Sequence, residues 1–402
     1  MDLDFIRKLV KPADTKIVFL VMDGLGGLPI NGNNKTELET ASTPNLDSLA
    51  SKSICGLQLP VGSGITPGSG PGHLSLFGYD AIKYQVGRGV LSALGIDFDL
   101  QDQDVAARGN FCTIDKDGKV LDRRAGRIPT EKNQDLCKLL YENIDLPGVE
   151  VIIQPVKEHR FLLVLRGEDL SGDLYDTDPQ VVGEKPLEPR GFSSNAEKTV
   201  KIVKDFINQT EKILADRNPA NMVLMRGFSK KPNWPLFPDV FGLKSAGIAA
   251  YPMYRGLAKL IGMTILETGE TFTDELSTLE QNWNDFDFFF VHFKKTDSSG
   301  EDGDFNRKVS VIEEVDKEIP RILDLNPDVM IVTGDHSTPS LLKFHSWHPV
   351  PVLFYSKYCR ADNVKSFGER ACITGGLGPR LPAVDLMSLA LANARRLEKF
   401  GA

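Results

Sequence analysis

The sequence predicts an α/β protein with a mainly parallel sheet, interrupted by a smaller α+β insertion. Short continuous apolar runs, typical of strands buried on both faces, occur near both ends of the chain. Amphipathic helical patterns alternate with these runs, which is the arrangement of a parallel sheet flanked by helices. The middle of the chain instead contains neighbouring strand patterns joined by turn residues, which indicates hairpins.

The predicted core strands are four apolar runs rich in β-forming residues, at 16–24, 285–293, 328–336 and 349–356. Helices are predicted between them. Residues 42–53 carry Thr43 as a helix cap and Pro44 at the first helical position. Residues 305–319 repeat apolar side chains at helical spacing and then meet Pro320. In sheets of this kind, ligands bind at the carboxyl ends of the strands.

The inserted region is predicted from two hairpin patterns and one long helix. Residues 110–124 predict two short strands around an Asp117–Gly118 turn, and residues 149–167 predict a second hairpin. Residues 195–217 predict a long amphipathic helix. We therefore predict a core formed by residues 1–79 and 236–402, with an inserted substrate-binding domain at 80–235.

The composition is typical of a folded globular protein and argues against several functions. The 402 residues are 41% hydrophobic and 25% charged. A net charge of −8, from 47 basic and 55 acidic residues, argues against nucleic-acid binding. The five cysteines form no Cys-x-x-Cys pair, so we expect reduced thiols and a cytoplasmic protein. The N-terminal sequence predicts neither a signal peptide nor a membrane span, so no membrane partner is expected.

Acidic residues and histidines follow three of the four predicted core strands. They are Asp23, Asp297, Asp335 and His336, with His345 and His348 shortly afterwards. Because the carboxyl ends of parallel strands meet at one edge of a sheet, these side chains are expected to lie close together. A single aspartate after a strand is usually a turn former, so the prediction depends on the clustering. Carboxylates suit magnesium or manganese, and imidazoles add affinity for manganese or zinc, so one or two divalent ions are expected.

The glycine-rich stretch TPGSGPGHLS (66–75) has three interpretations: a flexible linker, a phosphate-binding loop, or the seat of a reactive serine. A P-loop needs a lysine, but none occurs between Lys52 and Lys83. The stretch GLGGLP (24–29) lacks the third glycine of a dinucleotide-binding fingerprint. Ordered apolar sequence follows the stretch at once, which argues against a linker. A serine just before a helix benefits from the free helix amides, and the candidates are Ser63, Ser69 and Ser75.

Motifs along nearly the whole chain, from about residue 16 to about residue 390, resemble the archaeal-type cofactor-independent phosphoglycerate mutases of the alkaline phosphatase superfamily. They are KIVFLVMDGLGGLP, TPNLDSLA, PGSGPGHLSLFGYD, VGRGVLSALG, DRRAGRI, DTDPQ, TGDHSTP and HSWHPVPVLF. The resemblance implies an alkaline-phosphatase-like core interrupted by a substrate domain. It implies an isomerase of glycolysis and gluconeogenesis that interconverts 3-phosphoglycerate and 2-phosphoglycerate through a phosphoserine. It also implies two divalent metal ions and no 2,3-bisphosphoglycerate.

The resemblance also implies which residues act at the metal centre. The implied ligands are Asp23, Ser69, Asp335 and His336 for one ion, and Asp297, Glu301 and His345 for the other. Ser69 is the implied nucleophile. Glu301 stands where relatives carry a histidine, and its extra oxygen would favour manganese or magnesium. His348 is the alternative to His345, and His73 is either catalytic or a structural hydrogen-bonding partner of the loop.

The inserted domain supplies groups that suit a phosphorylated acid. The candidate substrate-binding residues are Arg108, Arg123, Arg124, Arg127, His159 and Arg160, together with Arg255, which stands where relatives carry a lysine. Arginine binds carboxylate and phosphate with two parallel hydrogen bonds. Asp176 and Asp178 are the candidates for moving protons between the glycerate hydroxyls, although Asp-Thr-Asp-Pro is also a turn sequence.

Three other functions remain open at the level of the sequence. The same serine would serve a metal-dependent phosphatase or phosphodiesterase in which water accepts the phosphoryl group. It would also serve a phosphotransferase that acts on another small phosphorylated alcohol. A non-catalytic, metal-stabilised binding protein is the third alternative. The sequence leaves open whether the chain forms a homo-oligomer.

Overall fold

The structure is a computed structural model that describes residues 2–30, 32 and 34–401. Its strands are β1 (Ile17–Met22), β2 (Ile54–Leu59), β3 (Val105–Ile114), β4 (Val120–Asp122), β5 (Glu150–Lys157), β6 (Arg160–Arg166), β7 (Met222–Ser229), β8 (Ser245–Ile248), β9 (Thr264–Ile265), β10 (Phe288–Phe293), β11 (Val329–Thr333), β12 (Val350–Ser356) and β13 (Gly378–Pro382). Its α-helices are α1 (Leu3–Leu9), α2 (Glu37–Thr40), α3 (Pro44–Ala50), α4 (Ser69–Leu76), α5 (Arg88–Gly95), α6 (Thr130–Asn143), α7 (Glu197–Leu214), α8 (Phe237–Phe241), α9 (Pro252–Leu260), α10 (Phe272–Gln281), α11 (Lys295–Asp302), α12 (Phe305–Asp324), α13 (Glu369–Ile373) and α14 (Leu386–Asn393). Short 3₁₀ helices lie at Ala125–Arg127, Ser194–Ala196 and Ala383–Asp385.

Backbone contacts divide the chain into two compact units. The first comprises Met1–Gln85, Trp234–Tyr251 and Ile261–Ala402, and the second comprises Val86–Asn233 and Pro252–Leu260. An eight-stranded sheet lies in the first unit and a five-stranded sheet in the second. The predicted α/β fold class, with a mainly parallel sheet and a second α+β part, is confirmed. Within the described part of the chain, no helix has the length and apolar character needed to cross a membrane.

The sheet of the first unit has the order β13-β2-β12-β11-β1-β10-β8-β9. Pairing is parallel from β11 through β1, β10 and β8 to β9, whereas β12 runs antiparallel to both β11 and β2. Every residue of β1, β10 and β11 is buried. These strands are continuous apolar runs because both faces of a central parallel sheet are covered. Their carboxyl ends therefore open at one edge of the sheet.

Helix α12 continues through the proline that the sequence pattern placed at its end. It extends from Phe305 to Asp324 with Pro320 inside it. Proline has no amide hydrogen, so the carbonyl of Asp316, four residues earlier, loses its helical partner. The side-chain amide of Asn45 donates to this carbonyl over 3.0 Å. The tertiary hydrogen bond satisfies the carbonyl that the helix cannot satisfy.

The second unit has an antiparallel sheet with the order β4-β3-β6-β5, and β7 pairs with β3. Helix α7 packs Val203, Phe206 and Leu214 into its core. Helix α9 belongs to this unit although the predicted insertion ended at residue 235. A Cβ atom on Gly256 would lie only 2.0 Å from the Leu91 carbonyl oxygen, so glycine allows α9 to approach α5 closely. Spacing along the sequence cannot reveal that contact.

Candidate metal centre and substrate-binding groups

Three parallel strands of the first unit deliver acidic residues to the same sheet edge. Asp23 is the first residue after β1. Asp335 and His336 follow β11, and Asp297 lies in the first turn of α11, directly after β10. Strand β1 lies between β10 and β11 and pairs in parallel with both. The topology therefore gathers residues that are hundreds of positions apart in the chain.

The first potential ligand group consists of Asp23, Asp335 and His336, whose ligand atoms all lie within 4.8 Å of one another. His336 Nε2 is 3.3 Å from Asp23 Oδ1 and 3.1 Å from Asp335 Oδ2. All three side chains are fully buried. Burial opposes charge on the imidazole, but the carboxylates of Asp335 and Asp23 raise the pKa of His336 to about 9. This group therefore has a strong affinity for positive charge.

The second potential ligand group consists of Asp297, His336 and His345. His345 Nε2 lies 3.6 Å from Asp297 Oδ1, and its ring stacks on that of His336 with centroids 3.6 Å apart. Burial and the neighbouring His336 lower the pKa of His345, which favours the neutral imidazole that a metal ligand requires. A set of carboxylates and imidazoles in two adjoining groups fits divalent cations. These residues could hold one or two such ions.

Ser69 begins helix α4 and faces the first ligand group. Its Oγ is 3.3 Å from His336 Nε2, and the residue is 8% exposed. Gly68 is the N-cap of the helix, so Ser69 stands at the first helical position, where backbone amides have no partner within the helix. A Cβ atom on Gly72 would lie 2.3 Å from the Asp335 carbonyl oxygen. Glycine at this position is what allows α4 to lie against the Asp335 loop.

His73 contacts the serine loop through the backbone. Its Nδ1 lies 2.8 Å from the Ser69 carbonyl oxygen and 3.1 Å from Asp335 Oδ2. The imidazole is fully buried. These contacts favour the structural interpretation of His73, because the ring connects the first turn of α4 to a ligand residue.

Two buried side chains form hydrogen bonds to the potential ligands or to the backbone segments that carry them. Thr338 Oγ1 donates to Asp297 Oδ1 over 2.7 Å and lies 2.9 Å from His336 Nδ1. Lys308 is fully buried on α12, and its ammonium donates to the carbonyl oxygens of Gly24, Gly26 and Thr338 over 2.9, 3.0 and 2.9 Å. Hydrogen bonds behind a metal centre orient its ligands.

Two further polar residues near Asp23 were absent from the sequence prediction. His292 Nε2 lies 3.2 Å from Asp23 Oδ2, and Lys294 Nζ lies 3.0 Å from the same oxygen. Burial and Asp335 oppose ionisation, but Lys294, His292 and His336 hold the pKa of Asp23 below its usual value. His292 lies within the apolar run of β10, which is why its pattern indicated only a core strand.

Glu301 and His348 have different positions from the other predicted ligands. Glu301 lies on α11 and belongs to neither of the ligand groups found among the described residues. His348 Nδ1 lies 3.0 Å from Ser346 Oγ, and its ring stacks on Trp347. Of the two alternative histidines, the structure brings His345 to the ligand groups. The role of Glu301 stays a prediction.

A positively charged cluster surrounds a buried histidine in the second unit. His159, 1% exposed, follows the positive-φ residue Glu158 in the turn between β5 and β6. Burial, together with the nearby charges, lowers its pKa to about 2. The charges belong to Arg160, Arg124, Arg108 and Arg127. Arg160 Nη1 is paired with Glu158 Oε2 over 2.9 Å, and the four positive charges together would favour an anion.

The turn that carries His159 is held by a residue that the sequence prediction missed. Asn133, fully buried on α6, donates through Nδ2 to the carbonyl oxygens of Glu158 and Arg160, both over 2.6 Å. Thr130 Oγ1 accepts from the Glu158 amide over 3.1 Å. An asparagine in a helical pattern gives no indication of such a long-range contact.

The two predicted acid/base candidates differ in their surroundings. Asp178 is buried and accepts two hydrogen bonds from Arg123, over 2.9 and 2.6 Å. Burial opposes its ionisation, but Arg123 and Arg226 lower its pKa overall. Asp176 has a partly exposed side chain, with Oδ1 accepting from the Gly227 amide and Oδ2 lying 3.3 Å from Arg226 Nε. Both carboxylates contact Arg226, but only Asp178 is fully buried and held by two hydrogen bonds from Arg123, so exposure favours Asp176 as a proton carrier.

Arg255, the last predicted substrate-binding residue, lies on α9 in the second unit. One of its guanidinium nitrogens is 3.7 Å from Asp97 Oδ2. Lys259, one turn later, also contacts Asp97. This position follows from the packing of α9 against α5, which the sequence prediction did not include.

Comparisons with known proteins agree with the motifs. A family model described as 2,3-bisphosphoglycerate-independent phosphoglycerate mutase matches residues 50–221. An Aquifex aeolicus protein named "Probable 2,3-bisphosphoglycerate-independent phosphoglycerate mutase" is 53% identical over 409 residues, covering 100% of both chains. A Thermotoga maritima protein of the same name is 55% identical over 401 residues, covering 99% of both.

Two solved structures are similar in both fold and sequence. A protein from Pyrococcus horikoshii has a TM-score of 0.82 and 30% identity, covering 96% of this chain and 99% of that one. A cofactor-independent phosphoglycerate mutase from Thermoplasma acidophilum has a TM-score of 0.66 and 30% identity, covering 94% of this chain and 100% of that one. Identity above 50% over the full length shows that the chain belongs to the 2,3-bisphosphoglycerate-independent phosphoglycerate mutase family.

Proposed function

We propose that this chain interconverts 3-phosphoglycerate and 2-phosphoglycerate by transferring the phosphoryl group to Ser69 and back to the other hydroxyl of glycerate. The observation that carries the proposal is the position of Ser69. Its Oγ faces the buried group of Asp23, Asp335 and His336 from the first position of α4. Family membership supports the choice of substrate.

The proposed reaction has two transfers on the same serine. In the first, Ser69 Oγ bonds to phosphorus as the bond between phosphorus and the C3 oxygen breaks, which releases glycerate. In the second, the C2 oxygen of glycerate bonds to phosphorus and Ser69 Oγ is restored. The backbone amides at the start of α4 have no partner within the helix and would favour the negative charge of the phosphoryl oxygens.

Two divalent cations are proposed as cofactors, with manganese or magnesium favoured by the carboxylate-rich donor set. Asp23, Asp335, His336 and Ser69 would hold one, and Asp297 and His345 the other. Bound there, the cations would lower the pKa of the serine hydroxyl and neutralise charge on the transferred group. No 2,3-bisphosphoglycerate is required, since the serine itself carries the phosphoryl group.

Glycerate must be held between the two transfers, and the second unit has suitable groups. We assign its carboxylate and phosphate contacts to the cluster of Arg108, Arg124, Arg127 and Arg160 around His159. The C2 hydroxyl loses a proton as it attacks, and the C3 oxygen gains one. Asp176 is the proposed carrier, because its side chain is partly exposed, whereas Asp178 is buried and accepts two hydrogen bonds from Arg123.

The decisive experiment is peptide mass spectrometry on manganese-loaded protein quenched in acid after mixing with 3-phosphoglycerate. We expect phosphate on the peptide that contains Ser69. Ser69→Ala should abolish it, whereas Ser63→Ala, at an exposed position of the same glycine-rich loop, should leave it unchanged. Phosphorylation that persists in Ser69→Ala would refute the nucleophile assignment.

A second measurement separates the mutase from a phosphatase with the same serine. Phosphorus NMR of the product mixture should show 2-phosphoglycerate and little inorganic phosphate. Inorganic phosphate without 2-phosphoglycerate would replace the mutase by a phosphatase. A panel of other small phosphorylated alcohols tests the remaining transferase alternative.

The proposed cytoplasmic location is supported by the free thiols of all five cysteines.

A further inference from the structure

One cationic side chain of the first unit connects the two ligand groups. Lys294 lies between β10 and α11, and its side chain is 28% exposed. Its Nζ is 3.0 Å from Asp23 Oδ2 and also contacts Asp297 Oδ2. Those two carboxylates are 0% and 1% exposed. A single ammonium therefore bridges one carboxylate from each group.

The ammonium and the imidazoles contact different oxygens of the same carboxylates. Lys294 contacts the Oδ2 atoms, whereas His336 Nε2 is 3.3 Å from Asp23 Oδ1 and His345 Nε2 is 3.6 Å from Asp297 Oδ1. Each carboxylate can therefore face an imidazole and the ammonium together. A divalent cation that used the Oδ2 atoms would need the position that Lys294 Nζ holds.

The contact between the Lys294 ammonium and the two carboxylates matters because it brings a positive charge to a buried group of negative charges. Asp23, Asp297 and Asp335 are three buried carboxylates with little water to screen their mutual repulsion. Lys294 opposes this repulsion and lowers the pKa of Asp23 and of Asp297. Unlike a metal ion, it is attached to a flexible four-carbon stem and can move away without leaving the protein.

We propose that Lys294 is a built-in counter-cation of the metal centre, which holds Asp23 and Asp297 together and competes with a divalent cation for their oxygens. The inference rests on the metal-dependent function proposed above. Removing the lysine charge should then have two opposite effects. The chelator-treated protein should become less stable, because the carboxylates repel each other, and divalent cations should bind more tightly, because they no longer displace an ammonium.

The test is isothermal titration calorimetry of chelator-treated protein with manganese chloride, paired with thermal unfolding in EDTA. We expect Lys294→Met to bind manganese at least fivefold more tightly than wild type and to unfold at a lower temperature in EDTA. Lys294→Gln, which keeps a hydrogen-bond donor without the charge, should show the same tighter binding if the methionine variant folds poorly. Lys294→Arg keeps the charge and should bind no more tightly than wild type.

The matched control is Lys295→Met. Lys295 is the next residue, and its Nζ pairs with Glu314 Oε1 over 2.8 Å at a partly exposed position. It should change neither measurement. Unchanged or weaker manganese binding by both uncharged Lys294 variants would overturn the proposal, as would the absence of manganese binding to wild type. The titration contains no phosphoglycerate, so a failure of the phosphoserine assay with normal metal binding would count against the proposed reaction alone.

Discussion

The buried ammonium of Lys308 offers the sharpest test of how the proposed metal centre is supported. It donates three hydrogen bonds, to the carbonyl oxygens of Gly24, Gly26 and Thr338. Gly24 is adjacent to Asp23, a proposed metal ligand. The Lys308→Met change keeps an unbranched apolar stem that is one heavy atom shorter than lysine, so it removes the charge and the donors without opening a large cavity.

The expected loss of stability follows from those three contacts. Hydrogen bonds to a charged group contribute about 1.5–3 kcal/mol each, and buried carbonyls left without a donor are destabilising. Burying an ammonium is itself unfavourable, and methionine removes that desolvation penalty. Three such hydrogen bonds contribute about 4.5–9 kcal/mol in total, and the desolvation penalty that methionine removes is several kcal/mol, which leaves a net loss of about 3 kcal/mol. With an unfolding entropy of about 2.1 cal/mol/K per residue, a loss of this size in a chain of 402 residues lowers the Tm by roughly 4 °C.

The assay is differential scanning calorimetry at one scan rate, with Lys317→Met as the control. Lys317 is exposed on the same helix, so its replacement should change stability by no more than about 0.5 kcal/mol. We also expect weaker manganese binding by Lys308→Met in calorimetric titration, since two ligand loops lose a shared anchor. Equal melting temperatures for the two variants would refute the argument that the three hydrogen bonds stabilise this site.

Four further predictions follow from individual contacts. Burial raises the pKa of Glu275 from 4.5 to about 9, so its contribution to stability is complete below pH 4.5 and is lost as pH rises toward 9. Relative to Glu275→Gln, the wild type should lose up to about 1.4 kcal/mol per pH unit in that window, which urea unfolding at pH 5 and pH 8 would measure. Arg123→Met leaves the buried carboxylate of Asp178 poorly compensated and should destabilise the second unit by about 3 kcal/mol in urea unfolding followed by hydrogen exchange. Asn133→Leu frees the turn at 158–160 and should raise the KM for 3-phosphoglycerate about tenfold with little change in kcat, because the proposed substrate contacts lose their position. EDTA should abolish turnover and manganese chloride should restore it, and activity that survives exhaustive chelation would contradict the metal requirement.

The fold class and the sheet edge were predictable because both depend on local patterns. A strand buried on both faces must be a continuous apolar run, and β1, β10 and β11 have that pattern. A polar residue directly after such a run lies at the carboxyl end of the strand. The sequence alone therefore predicts that Asp23 and Asp335 lie at one edge of the sheet. The helix that begins at Ser69 was predictable in the same way, from the ordered sequence that follows its glycines.

What the sequence determined by itself was therefore the four apolar core strands, several helices and the motifs that resemble the family. Only the tertiary structure decided which side chains meet across those elements. Lys308 reaches Gly24 from 284 residues away, and Lys294 reaches Asp23 from 271 residues away. Neither lysine differs in the sequence from a solvated surface residue. Hydrophobic periodicity records which face of an element is buried, whereas the partner of a buried charge depends on how separate elements pack in three dimensions.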